Sequence, residues 1–449
     1  MMTTRKEGAL TSKTMDALND AIMHMRAGRI KRRAFLERVI ALGLSAGAAT
    51  SLLEACGTIS TRCTPNGWVS QPNTIVWSSE HDDQEEFINI VKNFNAQNTN
   101  AHVIYNNAPF KDNAQYKDTV SALQACASEM DVISIDVVWL TEFAHNQWIL
   151  PLTEAIKSSV LQNYKGFQSI VDSCSYKGQL YSAPIRFDLG MLYYNTGFVS
   201  SAPQTYDELR EQASQILANS QGKELDGYVW QGAQYEGLVC NFIEVLAGFG
   251  GSFFAEDDPT KVTINSSEAH DALFEMVNWL WLANISPNGP NGITTYQEND
   301  ARVRWQNGFA VFMRNWFNVQ QLVTDPGISA VQGEVAYTAI PHSKSQPTGH
   351  SCIGGWQVGV NASSINQDLS WQFIDFLLKH TNDYRPTDVV GDASLKSMYT
   401  NSVARPQLPN YNLISESIQR HVFSALTKRE TPSEALAKME EELKQIISR

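Results

Sequence analysis

Basic charge is scarce in this sequence. Its 449 residues hold 34 Lys and Arg against 47 Asp and Glu, a formal charge of −13. Residues 1–55 carry nine Lys and Arg against five Asp and Glu, so the remainder is more acidic still. Nucleic-acid binding needs a basic face, and this balance argues against such a partner. Long apolar runs are also missing. The longest, Val39 to Leu53, has about fifteen residues, whereas a membrane-spanning helix needs about 20. Cysteine is limited to six residues with no C-x-x-C pair. His342, His350 and Cys352 lie in a stretch rich in Ser, Pro and Gly without an evident fourth ligand, so neither a metal nor a cofactor is expected.

What is present begins with an N-terminal address. Lys31, Arg32 and Arg33 precede Ala34-Phe35-Leu36, and the apolar run then leads to Leu53-Glu54-Ala55-Cys56. That length suits the apolar region of a signal peptide. The order resembles a twin-arginine export signal followed by a bacterial lipoprotein box. The resemblance implies an export signal over 1–55, lipidation of Cys56, a tether over 56–73, and anchoring on the outer face of the cytoplasmic membrane. Gly43-Leu44-Ser45-Ala46-Gly47 fits the G-x-S-x-G nucleophile pattern, but it lacks the strand-to-helix turn that chemistry needs, so Ser45 is not expected to react. With Cys56 assigned to lipid, five cysteines remain. In the monomer we expect, at least one of them stays free.

From Thr74 onward, strand and helix patterns alternate. Thr74 to Ser78 is β-rich, and Phe87, Ile90, Val91 and Phe94 give one apolar helix face. A strand at His102 to Tyr105, a helix carrying Tyr116, Val120 and Leu123, and a strand at Asp131 to Val137 follow. This spacing predicts parallel βαβ units, whose strand carboxyl ends line a ligand crevice. Glu80-His81-Asp82-Asp83 and Asp136 stand at those ends. Asp136 ends an apolar run and needs partners, which either a ligand or a helix N-terminus over 140–148 would supply. Asp82 and Asp83 equally suit the first turn of the next helix.

The stretch Ile185 to Asn195 reads as a strand over Leu189 to Tyr194 with two charges, Arg186 and Asp188, at its start. Burying charges there is costly unless something pairs with them, so they are expected to face a cleft. Farther on, three aromatics and three glycines crowd Gly227 to Leu238. A strand at Phe309 to Phe317 runs into Arg314-Asn315-Trp316, and Thr431-Pro432-Ser433-Glu434 opens a last helix with a capping box. Of the eleven Trp, Trp77, Trp139, Trp279 and Trp305 sit in apolar or helical patterns and are assigned to the core.

Five segments carry a family resemblance in order. They are V-W-Q-G-x-Q-Y-E-G-L-V-C-x-F at 229–242, D-V-I-S-I-D-V-V-W-L at 131–140, R-N-W at 314–316, G-G-W-Q-V-G-V at 354–360 and A-R-P at 404–406. Together they resemble the extracellular solute-binding proteins of ABC transporters, in particular the trehalose/maltose-binding group. The resemblance implies an α/β, two-lobed periplasmic-binding-protein fold of type II, each lobe a mainly parallel sheet flanked by helices. It implies three crossings between lobes, near 185–189, 314–318 and 360, giving lobes of 74–186 plus 318–360 and 187–317 plus 361–449. It also implies a sugar site: Asp136 and Asp188 as carboxylates, Trp316 and Trp356 as platforms, Gly355 as a backbone contact, and Arg405 and Asp83 as further polar contacts. The partners implied are a small-molecule sugar and the permease subunits in the membrane.

The chemistry agrees with that set. Charged groups bind hydroxyls through hydrogen bonds roughly twice as strong as neutral ones, and Trp offers a flat apolar surface to a pyranose. One departure stands out. Arg186 occupies a position where the disaccharide binders carry an aromatic, so it is a candidate for choosing the ligand. A polyamine is the alternative ligand, disfavoured because Arg186 and Arg405 would repel it. A glycosidase using Asp136 and Asp188 would need one carboxylate with a raised pKa, for which the sequence gives no cause.

Overall fold

The strand and helix alternation expected from Thr74 is what the chain builds. In the computed structural model, β1 (Thr74–Ser79) lies between β2 (His102–Asn107) and β3 (Val132–Asp136), and all three run parallel. The helix Glu86–Gln97 buries Phe87, Ile90, Val91 and Phe94, the four positions its spacing selects. The structure describes residues 73–79, 85–107, 114–127, 130–220, 222, 224–381 and 392–448, with Arg38 and Leu42. Nearly all of the export signal, Cys56, most of the tether and Asp83 therefore lie outside the described residues. Apart from Arg38, Leu42, Cys126 and Ala127, the described residues belong to one unit formed by 71–125 and 130–449, and that unit is the subject below.

A hairpin of β4 (Ser175–Tyr176) and β5 (Gln179–Leu180) leads into β6, which runs from Ala183 to Asn195. After it come β7 (Asp226–Val229), a hairpin of β8 (Phe254–Ala255) and β9 (Asp258–Val262), then β10 (Ala310–Trp316), β11 (Val335–Thr338) and β12 (Ile353–Val360). The sheet order is β2-β1-β3-β12-β6-β10-β7, with β11 also paired to β6.

β6 changes partners midway. Ala183 to Leu189 pairs antiparallel with β12, whereas Gly190 to Tyr194 pairs with β10 and Leu192 to Asn195 with β11. A Cβ at Gly190 would come within 1.8 Å of Glu244 Oε1, so the changeover needs a residue without one.

The strand also begins earlier than Leu189. Arg186 and Asp188 lie inside β6 and are themselves buried. A strand covered on both faces shows no polar alternation from which its start could be read.

Two elements sit across from the residue ranges drawn for the lobes. β11, within 318–360, pairs with the second half of β6. The helix Gln367–His380, within 361–449, packs on β1 and on the helix Glu86–Gln97, with Phe94 edge-on to Phe373 at 5.3 Å. Trp77, Trp279 and Trp305 are core residues. The capping box at Thr431 forms, with Pro432 in the first turn. Cys174, Cys240 and Cys352 are buried free thiols. Among the described residues, no helix is long and apolar enough to cross a membrane.

Candidate functional site

A cavity of about 410 Å³ opens at the carboxyl end of β3, where β12, β6 and β10 run side by side. Seven of the eight residues expected there line it: Asp136, Arg186, Asp188, Trp316, Gly355, Trp356 and Arg405. Strand register brings them together. Trp356 of β12 stands opposite Asp136 of β3 on one side and Arg186 of β6 on the other. Gly354 stands opposite Asp188, and Gly190 opposite Trp316.

Two glycines make this approach possible. Gly355 has φ +144°, and a Cβ there would meet the Arg186 carbonyl oxygen at 2.5 Å. A Cβ on Gly354 would meet the Trp316 ring at 2.8 Å. The indole of Trp316 therefore lies directly against the backbone of β12.

That indole is held from two further directions. Its Nε1 donates to Glu298 Oε1 at 3.2 Å, and the other oxygen of Glu298 accepts from the Tyr235 hydroxyl at 2.7 Å. The Arg314 guanidinium lies 4.1 Å from the ring centroid, a cation–π contact. A platform fixed this way loses little freedom when a ligand arrives.

The second aromatic wall corrects one expectation. Trp139 is not core; it lines the cavity and meets Trp356 edge-on at 5.5 Å. Tyr116 sits 5.5 Å from Trp139 and donates through its hydroxyl to Glu142 at 2.6 Å. Trp139 directly follows the apolar β3, so its sequence context could not distinguish wall from core.

Between the walls lies a charged floor. Arg405 divides its guanidinium, Nη1 donating to Glu236 at 2.8 Å and Nη2 to Asp136 at 3.3 Å. Glu236 also accepts from the hydroxyls of Tyr411 and Ser415. Asp136 accepts the Val138 amide at 3.2 Å, while the helix Leu140–His145 starts at Trp139 without a side-chain cap, so Asp136 does not cap it. Burial raises the Asp136 carboxyl above its ordinary value, with Arg405 opposing. Sequence reasoning missed Glu236, Tyr411 and Glu298. Only Glu236 left a signal, inside the 229–242 segment.

Asp188 is 6% exposed. Its Oδ1 accepts the amides of Leu189 at 3.1 Å and Asn318 at 3.2 Å. Burial pushes its carboxyl up to about 7, against the pull of the Asn318 amide and Arg186. No pattern in the sequence around Asp188 indicates this shift. Arg186 itself lies over Phe87, 5.0 Å from the ring centroid. His342 and His350 each donate from Nδ1 to a backbone carbonyl, and no cluster that could hold a metal occurs among the described residues.

A charged floor between two aromatic walls, on a sheet whose central strand changes partners at its middle, defines the cleft of a two-lobed periplasmic-binding protein. The comparisons place the chain within that class. The profile of the bacterial extracellular solute-binding protein family matches residues 77–383, and the chain belongs to this family. A probable ABC transporter-binding protein of Deinococcus radiodurans is 32% identical over 359 residues, spanning 73% of this chain and 82% of the relative. A maltose-bound structure of T. maritima MalE3 superposes with a TM-score of 0.75 at 31% identity, covering 83% of this chain and 99% of that one. The GacH receptor of Streptomyces glaucescens GLA.O, solved unliganded and with acarbose, superposes at 0.70 over 84% of this chain and 98% of that one. At 20% identity it speaks to the fold alone.

Proposed function

We propose that this chain is the substrate-binding component of an ABC importer and that its cavity takes a di- or oligosaccharide. The observation that carries the reading is the pairing of a fixed Trp316 with the Trp356–Trp139 wall across a floor of Asp136, Asp188 and Arg405. Indole faces cover pyranose C–H surfaces, and the ionised groups take hydroxyls through charge-assisted hydrogen bonds. Gly355 offers backbone and Arg186 selects among ligands, with Asp83 a further contact.

The names of the relatives support the same reading, one being a probable ABC transporter-binding protein and another bound to maltose. On this account residues 1–55 export the chain, Cys56 anchors it by lipid outside the cytoplasmic membrane, and it works as a monomer that delivers sugar to the permease subunits. The lobes meet at β6 and β12, with the chain crossing near Leu189 and again along β12, so that β11 is grouped with the second half of β6 and the helix Gln367–His380 with β1.

A thermal-shift screen of the chain from residue 57 against mono- and oligosaccharides, amines and amino acids tests this. Stabilisation should follow RT ln(1 + [L]/Kd) for a saccharide. A shift with amines or amino acids and none with any saccharide would overturn it.

The raised carboxyl of Asp188 favours a second reading, cleavage of a glycosidic bond with Asp188 as the acid. Against it, Asp136 is already engaged by Arg405. Incubation with malto-oligosaccharides decides between them, since binding alone leaves chain lengths unchanged.

A further inference from the structure

The charge around the cavity exceeds what a neutral sugar needs. Among the described residues, seven carboxylates line it against two guanidiniums, Arg186 and Arg405. Arg405 is already divided between Asp136 and Glu236, and Arg186 rests on Phe87. Glu142 and Glu298 are oriented by neutral donors, Tyr116 for the first and Tyr235 with Trp316 for the second. Those hydrogen bonds aim the carboxylates without neutralising them.

Asp188 is the sharpest case. It is 6% exposed, its Oδ1 takes two backbone amides, and its Oδ2 has no hydrogen-bond partner among the described residues. Asp188 lines the cavity, where a cation from the ligand would bind that oxygen more strongly than a hydroxyl does.

Resting on the saccharide reading above, we propose that the preferred ligand is an amine-bearing saccharide whose protonated nitrogen sits against Asp188. The aromatic walls suit both parts of such a molecule, because indole faces attract cations as well as sugar C–H groups. The objection that Arg186 and Arg405 repel a cation loses force for Arg405, whose charge is met by two carboxylates. A simple diamine lacks the sugar rings that the two walls would cover.

The test is calorimetric titration of the wild-type chain with maltose and with maltoses in which one hydroxyl at a time is replaced by an amine. At least one amino-maltose should bind about 10-fold or more tighter than maltose, the size of one charge-assisted interaction. That ratio should fall close to one in Asp188→Asn, and in the wild type it should shrink as salt is raised. The salt series carries the test if the variant does not fold. If maltose binds and no amino-maltose binds more tightly, or the ratio survives in Asp188→Asn, the proposal is wrong and the saccharide reading stands. If no saccharide binds at all, or putrescine binds more tightly than every saccharide, the saccharide reading fails and takes the proposal with it.

Discussion

Arg314 grips both carboxylate oxygens of Glu244, at 2.9 Å and 2.7 Å, and neither side chain is more than 2% exposed. The pair ties β10 to the helix Glu236–Gly248, and Glu244 also accepts the Cys352 amide at 2.9 Å beside the first residue of β12. Because Arg314 lies under Trp316, this pair holds the platform from below. Removing one partner of such a pair leaves an uncompensated buried charge. Glu244→Ala should therefore lower unfolding free energy by about 3–5 kcal/mol, while Glu244→Leu with Arg314→Met should lie much closer to wild type. Urea unfolding measures both.

Trp316 is expected to matter for binding more than for folding. It is only partly buried, unlike Trp279. Trp316→Ala should cost about 2 kcal/mol or more of sugar affinity, near 30-fold, as aromatic anchors do. Its thermal midpoint should fall less than that of Trp279→Ala. Titration beside thermal denaturation separates the two effects.

Gly355→Ala tests the close approach of β12 to β6. With φ at +144° and the Arg186 carbonyl 2.5 Å from the new Cβ, the strand must shift. We expect a stability loss of about 1–3 kcal/mol together with weakened binding, since Trp356 and Arg186 move with the strand.

How far the site could be read from the sequence depended on what surrounded each residue. Asp136 showed local contrast because it ends an apolar run, while the family resemblance at 314–316 marked Trp316 as a platform. For Asp136 such contrast was enough. Trp139 lacked it, since an aromatic after buried β3 reads as core until the partner strand is placed. The extent of β6 was hidden for the same reason: burial on both faces removes the alternation that would mark Ala183 as its start. Glu298 and Tyr411 reach the cavity through tertiary packing from distant helices, which no local pattern encodes.

Asp188 should make the ligand-free protein lose stability as pH rises from mildly acidic to neutral. Its folded value of about 7 lies above the roughly 3.9 of an unfolded aspartate. Folding therefore favours the protonated form, so this contribution is complete below pH about 4 and is lost as pH rises through about 7. Asp131 and Asp136 are raised in the same direction by burial. The thermal midpoint of the ligand-free chain should fall between pH about 5 and 8, and Asp188→Asn should flatten that slope. An equal slope in the variant would assign it to other groups.

The central claim is that the cavity between the two aromatic walls receives a saccharide. Trp139, Trp316 and Trp356 all line it, so intrinsic tryptophan fluorescence reports on the site directly. Titrating maltose and longer malto-oligosaccharides into the wild type and Trp316→Ala is the most direct measurement. The account predicts a saturable change in the wild type that is strongly weakened in the variant. No change with any saccharide, or an equal change in Trp316→Ala, would contradict it.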